Sequence, residues 1–404
     1  MPTLDAHADV VVIGSGPSGL RCAEKLALAG RSVVLIGAEP GLPYNRVALS
    51  NYLVGDVDAA GLITHSAERL AELGIALRSG VRVTSIGRSV KAVSTSSGAI
   101  ISYNKLVLAT GSIPFRLPLP GANLPGVLMY RTLDEVNAML EAAQSGGRAI
   151  VIGGGLLGLE AAVGLTKRGM KTTVLHAVDR LMERQLDHQA AALLAERLRS
   201  QGIALELAAG SVAIAGESKA TGVVLKDGRT LPADLVVMAV GIRPETTLAR
   251  EAGLGLGRGI IVDDQMRTTD IDIYAIGECA EHRGACCGLV APCFDQAEIA
   301  ARHILGEHVT YEPKTDATAL KIAGAGAWSG GDIEAKDVEN LVYADFESAE
   351  YRRFILRDNR LIGAVLYGET SDAPYYKSLL GQDVRALRNI LAFGRAFAPK
   401  EIAA

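Results

Sequence analysis

The order of apolar and polar positions along this chain repeats itself. Residues 11–36 read VVIGSGPSGLRCAEKLALAGRSVVLI: an apolar β-branched run, glycines at 14, 16 and 19, a helical stretch, a closing Gly30 and a second apolar run. Residues 151–175 read VIGGGLLGLEAAVGLTKRGMKTTVL and repeat that succession with Gly153, Gly155, Gly158 and Gly169, 139 residues further on. Both copies predict strand, turn, helix, strand. At such a turn the first glycine makes the tight bend and the second lets a pyrophosphate approach the backbone. The third lets the helix pack closely on the strand, and the helix N-terminus offers amide donors. One such motif is weak evidence; two in register, each with its strands and helix, predict two dinucleotide sites.

A second repetition runs inside the first. Residues 106–114, LVLATGSIP, align with 236–244, VVMAVGIRP, at an offset of 130, and the stretches from Gly98 and Gly228 align at the same offset. Repeats this far apart indicate duplicated domains. Between them the pattern predicts helices near 66–73, 133–144 and 187–200, short strands over 75–104, and buried strands at 106–110 and 235–240. Residues 37–60 read as a loop. The proline-rich 112–126 and Arg243-Pro244 read as two crossings between domains. A further buried strand ends at Gly277-Glu278, and a helix follows at about 295–305. YEPKTD, 311–316, marks a boundary. Beyond it come strands at 338–346, 351–357 and 361–367, the last two joined by an Arg357-Asp358-Asn359-Arg360 hairpin turn, and then helical pieces. The expected fold is α/β: two Rossmann-like dinucleotide-binding domains, the second (113–244) inserted into the first (1–112 and 245–312), and a C-terminal α+β domain over 315–404.

Bulk properties narrow the class. A chain of 404 residues with 49% hydrophobic and 21% charged residues forms packed domains. The net charge of −4 leaves no basic footprint for nucleic acid. No apolar run reaches the roughly 18–20 residues that span a bilayer, and MPTLDAHADVV lacks the basic start of an export signal. Five cysteines, an odd number, fit free thiols in a reducing cytoplasm. Among them Cys286, Cys287 and Cys293 lie near His282, but the spacing C-C-x5-C matches no zinc or iron–sulfur framework, so no metal is expected.

Glu39, twenty residues beyond Gly19, is placed to accept hydrogen bonds from an adenosine ribose, and Glu278 at a strand end suits the ribityl chain of a flavin. The whole arrangement resembles the pyridine nucleotide-disulfide oxidoreductase superfamily, in which an FAD domain is interrupted by an NAD(P)H domain. The resemblance covers about residues 9–305. It rests on both glycine motifs, Ala109-Thr110-Gly111, Gly241-Ile242-Arg243-Pro244, and the segment from Thr269 to Glu278. Disulfide reductases of that superfamily carry Cys-x4-Cys in the loop after the first helix unit, and peroxidases, oxidases and coenzyme A-disulfide reductases carry one cysteine there. This chain has none between Cys22 and Cys279. The resemblance therefore implies electron transfer from a nicotinamide to a flavin and then to an outside acceptor.

Loop GAEPGLPYNRVALSNYLVG, GLLGLEAA, HAVDRLMERQLD and GECAEHRGACCGLVAP look like the FAD/NAD(P)H region of assimilatory nitrite and nitrate reductases. In the family these continue into iron–sulfur and sirohaem modules, so the expected partner is a separate nitrite or nitrate reductase catalytic chain. Rubredoxin and ferredoxin reductases share the scaffold and are the alternatives, with rubredoxin or ferredoxin as acceptor. A flavoprotein sensor or scaffold responding to NADH is the reading from another class. By this resemblance Gly14, Gly16, Pro17, Gly19, Glu39, Arg46, Thr110, Gly111, Gly277 and Glu278 hold FAD, although Arg46 also reads as a solvated loop arginine. Gly153, Gly155, Leu156, Gly158, His176 and Gly241 hold NADH or NADPH. Glu160 would face the junction of nicotinamide and flavin, or form a structural ion pair. Related ferredoxin reductases often place a lysine where Asn51 stands, which leaves no Lys–Glu pair there. His176 and Arg180 could accommodate a 2′-phosphate or be solvated, and the family inclines to NADH. Trp328 could shield the flavin or fill the core of the third domain. The oligomeric state is left open.

Overall fold

The computed structural model describes residues 6–313 and 317–397 of the chain, in two compact units: Met1–Pro114 with Ile242–Lys314, and Phe115–Gly241 with Thr315–Ala404. The segment 311–316, read as a boundary, lies partly outside the described residues, as do residues 398–404 of the C-terminal helical pieces.

In the first unit the strand Ala6–Ile13 is central to a parallel arrangement, flanked by Val33–Gly37 on one side and Ile100–Leu108 on the other. Ile75–Ser79 extends the sheet beyond Val33–Gly37, and Ile273–Ala275 pairs in parallel with the upper end of Ile100–Leu108. The lower end of that long strand pairs instead with the antiparallel Ala92–Thr95. Register places Ile13 opposite both Ile36 and Leu108, and Leu108 opposite Ala275, so four carboxyl ends finish in line. These strands are near-continuous apolar runs because both faces are covered. The helices Pro17–Leu28 and Val290–Ile304 pack together, and Leu26, Ala297, Ala300 and Ala301 are fully buried in the same core.

The loop expected over 37–60 contains a two-turn helix, Leu49–Val54, ended by Gly55 in the left-handed region. Six residues are too few to show a helical period. The helix expected from about 295 begins earlier, at Val290, because its first turn carries Pro292, which is tolerated where no backbone donor is needed.

The second unit repeats the design with the order Ala204–Glu206, Lys171–Leu175, Arg148–Ile152, Leu235–Met238, Val127–Met129. Its entry helix, Leu133–Gln144, starts at a capping box in which Thr132 and Glu135 satisfy each other's backbone amides. C-terminal residues 317–368 add an antiparallel five-stranded sheet among the described residues. The strands Glu339–Asp345, Glu350–Arg357 and Arg360–Gly368 agree with the sequence pattern, and Asp358 and Asn359 at φ 52° and 61° make the hairpin turn. Ala317–Ile322 and Ala325–Gly331 gave no strand signal. Their glycines and alanines make room for Trp328, which is buried among Phe354, Leu366 and Tyr376 in the core of this sheet.

Asp187 ties this sheet to the inserted segment within the second unit. One carboxylate oxygen caps the helix His188–Ser200 by accepting from the Ala190 amide at 3.0 Å. The other accepts from the Tyr351 hydroxyl at 2.7 Å and from Arg353 at 3.3 Å. Among the described residues no helix is long and apolar enough to cross a membrane.

Phe354 is fully buried, with its ring 4.7 Å from that of Tyr376. Phe354→Ala should lower stability by about 3–5 kcal/mol, the usual range for an aromatic cavity. Urea unfolding followed by Trp328 fluorescence reads it, and a loss below about 1 kcal/mol would contradict this account of the core.

Candidate functional site

Both glycine turns are built on the same backbone contacts. Gly14 has φ +112°, and a Cβ there would lie 2.0 Å from the carbonyl oxygen of Ala109 at the end of the neighbouring strand. A Cβ on Gly19 would lie 1.9 Å from the Gly14 carbonyl oxygen. The second turn reproduces this: Gly153, at φ +126°, would meet Ala239 at 2.2 Å, and Gly158 would meet Gly153 at 2.0 Å. The middle glycines differ in kind. A Cβ on Gly16 or Gly155 meets nothing within 4 Å, and both residues have extended backbone that any residue adopts. Each is the N-cap of its helix with no side chain capping it. Beside each middle glycine there is open space over a helix N-terminus, which fits a pyrophosphate.

In the first unit, Pro17 opens the helix and the four aligned strand ends bring the other residues around the turn. The crevice outside the strand ends, where the strand order reverses, is where open α/β sheets bind ligands. Glu39 lies two residues past Val33–Gly37; its carboxylate accepts from the Tyr44 hydroxyl at 2.6 Å and pairs with Arg46. Arg46 also lies over the Tyr44 ring, 5.1 Å from its centroid. Burial works against the Arg46 charge, but Tyr44, Glu39 and Glu278 outweigh it and hold the guanidinium above its ordinary value. Arg46 is thus a partly buried, paired arginine rather than a solvated one.

Thr110 donates to the Glu245 carbonyl at 2.7 Å, and Gly111 receives the Glu245 amide at 2.9 Å, which pins the Ala109-Thr110-Gly111 turn. Ser112 donates to Glu278 at 2.8 Å. Gly277, at φ +78°, donates its amide to the buried Gln296 side chain at 2.8 Å, and a Cβ there would come 2.7 Å from Ser18 Oγ. Tyr44, Ser112, Gln296 and Ser18 were not singled out in the sequence. Ser18 lies inside the glycine motif itself, whereas only the fold brings Tyr44, Ser112 and Gln296 to the turn.

In the second unit, Leu156 and Leu157 open the helix Leu156–Lys167, with Glu160 half-buried one turn on, and Gly241 is exposed at φ +116°. His176 is buried and faces the glycine turn: its Nδ1 accepts the Gly154 amide at 3.1 Å, and its Nε2 bonds Glu183 at 3.2 Å. A Cβ on Gly154 would come 2.7 Å from the imidazole, whereas in the first turn the pair at the same offset is Ser15 with Gly37, large and small exchanged. Arg180 is held by the carbonyls of Leu186 and Glu183 and by Glu334 at 2.6 Å.

No three or more His, Cys, Asp or Glu side chains gather as a metal site among the described residues. None of the five cysteines forms a disulfide.

A family model described as pyridine nucleotide-disulphide oxidoreductase matches residues 8–303, and one for the rubredoxin NAD+ reductase C-terminal domain matches 317–384. The chain is 41% identical over 379 residues to a nitrite reductase [NAD(P)H] of Bacillus subtilis (strain 168), covering 93% of this chain and 47% of that protein. It is 40% identical over 368 residues to the assimilatory nitrate reductase electron transfer subunit of the same organism, covering 90% and 48%. The chain thus spans about half the length of these relatives. The crystal structure of the ferredoxin reductase for the CYP199A2 system from Rhodopseudomonas palustris matches with a TM-score of 0.88 at 31% identity, over 98% of this chain and 100% of that one. The chain belongs to the pyridine nucleotide-disulphide oxidoreductase family, and is an oxidoreductase for which that membership implies FAD and NAD(P)H.

Proposed function

We propose that this chain takes electrons from NADH at the second glycine turn and delivers them, through FAD at the first, to the catalytic part of a nitrite or nitrate reductase. The observation that carries the reading is the pair of open helix N-termini at Gly16 and Gly155, each held in place by backbone contacts that admit only hydrogen. Bound there, the two cofactors supply the redox chemistry. The chain's own residues bind and orient. Amides beside Gly16 and Pro17 receive the FAD pyrophosphate, Glu39 the adenosine ribose and Glu278 the ribityl chain, with Arg46, Thr110, Gly111 and Gly277 completing the pocket. Gly155, Leu156, Gly158 and Gly241 do the same for the nicotinamide dinucleotide, with His176 setting the turn from behind. Glu160, on the same helix, is assigned to the nicotinamide end. No side chain is needed as nucleophile or base. The cysteine usage supports a place in the cytoplasm.

NADH is preferred over NADPH in this reading because the two basic side chains nearest the end of Lys171–Leu175 are already engaged. His176 is bonded to the turn and to Glu183, and Arg180 to carbonyls and Glu334. NADH should exceed NADPH in kcat/KM for flavin reduction by about tenfold or more, the worth of one unmet phosphate partner. Equal rates, or NADPH the faster, would overturn it.

Gly155→Val adds bulk only to open space, so the variant should fold and keep its FAD but lose NADH reduction of the flavin by at least about a hundredfold. Gly158→Val drives a side chain into the Gly153 carbonyl and should instead cost stability, on the order of 3 kcal/mol or more by thermal unfolding. Loss of FAD and NADH reduction together in Gly155→Val would contradict the division of sites.

The C-terminal family match and the ferredoxin reductase likeness favour a second reading, in which the acceptor is a rubredoxin or ferredoxin. Anaerobic stopped-flow separates the two. Flavin reduced with NADH should be reoxidised rapidly by a nitrite or nitrate reductase catalytic chain and slowly by rubredoxin, ferredoxin or oxygen. Fast reoxidation by one of the latter would move the protein to that branch.

A further inference from the structure

The segment after Glu278 carries Cys286, Cys287 and Cys293, and the fold gives the five cysteines different surroundings. Cys22 and Cys279 are wholly buried in the first unit's core. Burial pushes the Cys22 thiol up to about 12 and raises Cys279 as well, so both are unreactive packing groups. Cys286 ends the short strand Ala285–Cys286 and packs where a Cβ on Gly259 would come 3.0 Å from its sulfur.

Cys287 and Cys293 stand apart from these. Cys287 is half-buried in the loop that leads into the helix Val290–Ile304, and Cys293 is buried in the first turn of that helix. The Leu289 carbonyl serves both: it accepts the Cys287 thiol at 3.6 Å and the Cys293 amide at 3.4 Å. The Cys293 thiol adjoins the Cys287 thiol, and Cys293 also lies beside Ser18 and Glu278. The neighbouring Cys287 sulfur, with burial, raises the Cys293 thiol above its ordinary value. Cys287 is the more accessible of the two sulfurs and is the one an external disulfide reaches first.

We propose that Cys287 and Cys293 are a reversible dithiol–disulfide pair, Cys287 attacking and Cys293 resolving, placed to report oxidation to the Glu278 end of the crevice. The oxidant is a low-molecular-weight disulfide. The Cys287 thiolate attacks one of its sulfurs, forming a mixed disulfide and releasing one thiolate, which takes up a proton. Cys293, giving its proton to solvent, then attacks the Cys287 sulfur and expels the second thiolate, which is protonated in turn. One external disulfide becomes two thiols, and the protein dithiol becomes one disulfide; excess external thiol runs the exchange backwards. Closing the bond removes the Cys287 donor from the Leu289 carbonyl and shifts Cys293 against Ser18. Ser18 abuts Gly277, so the Gly277-Glu278 turn moves with it. The thiol chemistry stands independently of the flavin assignment; only its effect on the flavin rests on that reading.

The test uses the full chain with its flavin, reduced, desalted without oxygen and equilibrated in mixtures of oxidised and reduced glutathione. Thiols are counted by maleimide labelling after denaturation, and peptides are mapped by mass spectrometry. The expected result is loss of two thiols per chain, a Cys287–Cys293 crosslink and no retained glutathione, all reversed by excess thiol. Cys293→Ser should trap one glutathione on Cys287, and Cys287→Ser should keep its Cys293 thiol. A stable glutathione adduct in the unaltered chain, a crosslink through Cys286, or no thiol loss would each overturn the pair without touching the dinucleotide assignments, and none needs a variant to fold. The flavin's visible spectrum, followed in the same mixtures, should shift in step with the crosslink; an unchanged spectrum would overturn the coupling to the crevice.

Discussion

The structure depends on one kind of contact, a helix backbone laid directly on a strand end. At Gly19 and at Gly158 the approach leaves about 2 Å between where a Cβ would be and a carbonyl oxygen, so only hydrogen fits. That approach aims each helix N-terminus past the strand ends and leaves Gly16 and Gly155 facing open space. The anion-binding feature is then a consequence of packing: uncapped amides and the positive end of a helix dipole, fixed before any ligand arrives.

Around this common core the two units differ by what their strand ends carry. In the first, Glu39 lies two residues past the second strand, held by Tyr44 and Arg46, and Glu278 follows a returning strand. In the second, His176 stands where the first unit has Gly37, turned in against Gly154 and anchored by Glu183. The exchange of Ser15–Gly37 for Gly154–His176 keeps the volume between turn and strand roughly constant while changing the chemistry offered outward. Duplication preserved the backbone geometry and let the reading side chains diverge.

Much of this was legible in the residues because it is enforced by backbone sterics or local hydrogen bonds. Glycine spacing at 14, 16 and 19 and the Asp358-Asn359 turn each leave a local signature. What was not legible depends on distant partners. The strand Ala325–Gly331 has no β-branched residue; it forms because its glycines admit the Trp328 indole and the neighbouring strand, with Gly330 Cα so close that a Cβ would lie 2.9 Å from the ring. The inward turn of His176 depends on the missing side chain at Gly154, and the grouping of Ser18, Gln296 and Gly277 joins residues about 260–280 positions apart in part of the set. The role of Arg46 was ambiguous for the same reason: its partners, Glu39 and Glu278, lie beyond the ends of two strands far apart in the chain.

The central claim, that FAD and the nicotinamide dinucleotide occupy the first and second turns respectively, is tested most directly by hydrogen–deuterium exchange. The chain would be compared without ligand, with FAD, and with FAD plus NADH under anaerobic conditions. The account predicts that FAD slows amide exchange over residues 14–20 and 277–279 and leaves 153–159 unchanged, and that NADH then slows 153–159. Protection of the second turn by FAD, or protection by NADH confined to the first, would contradict it.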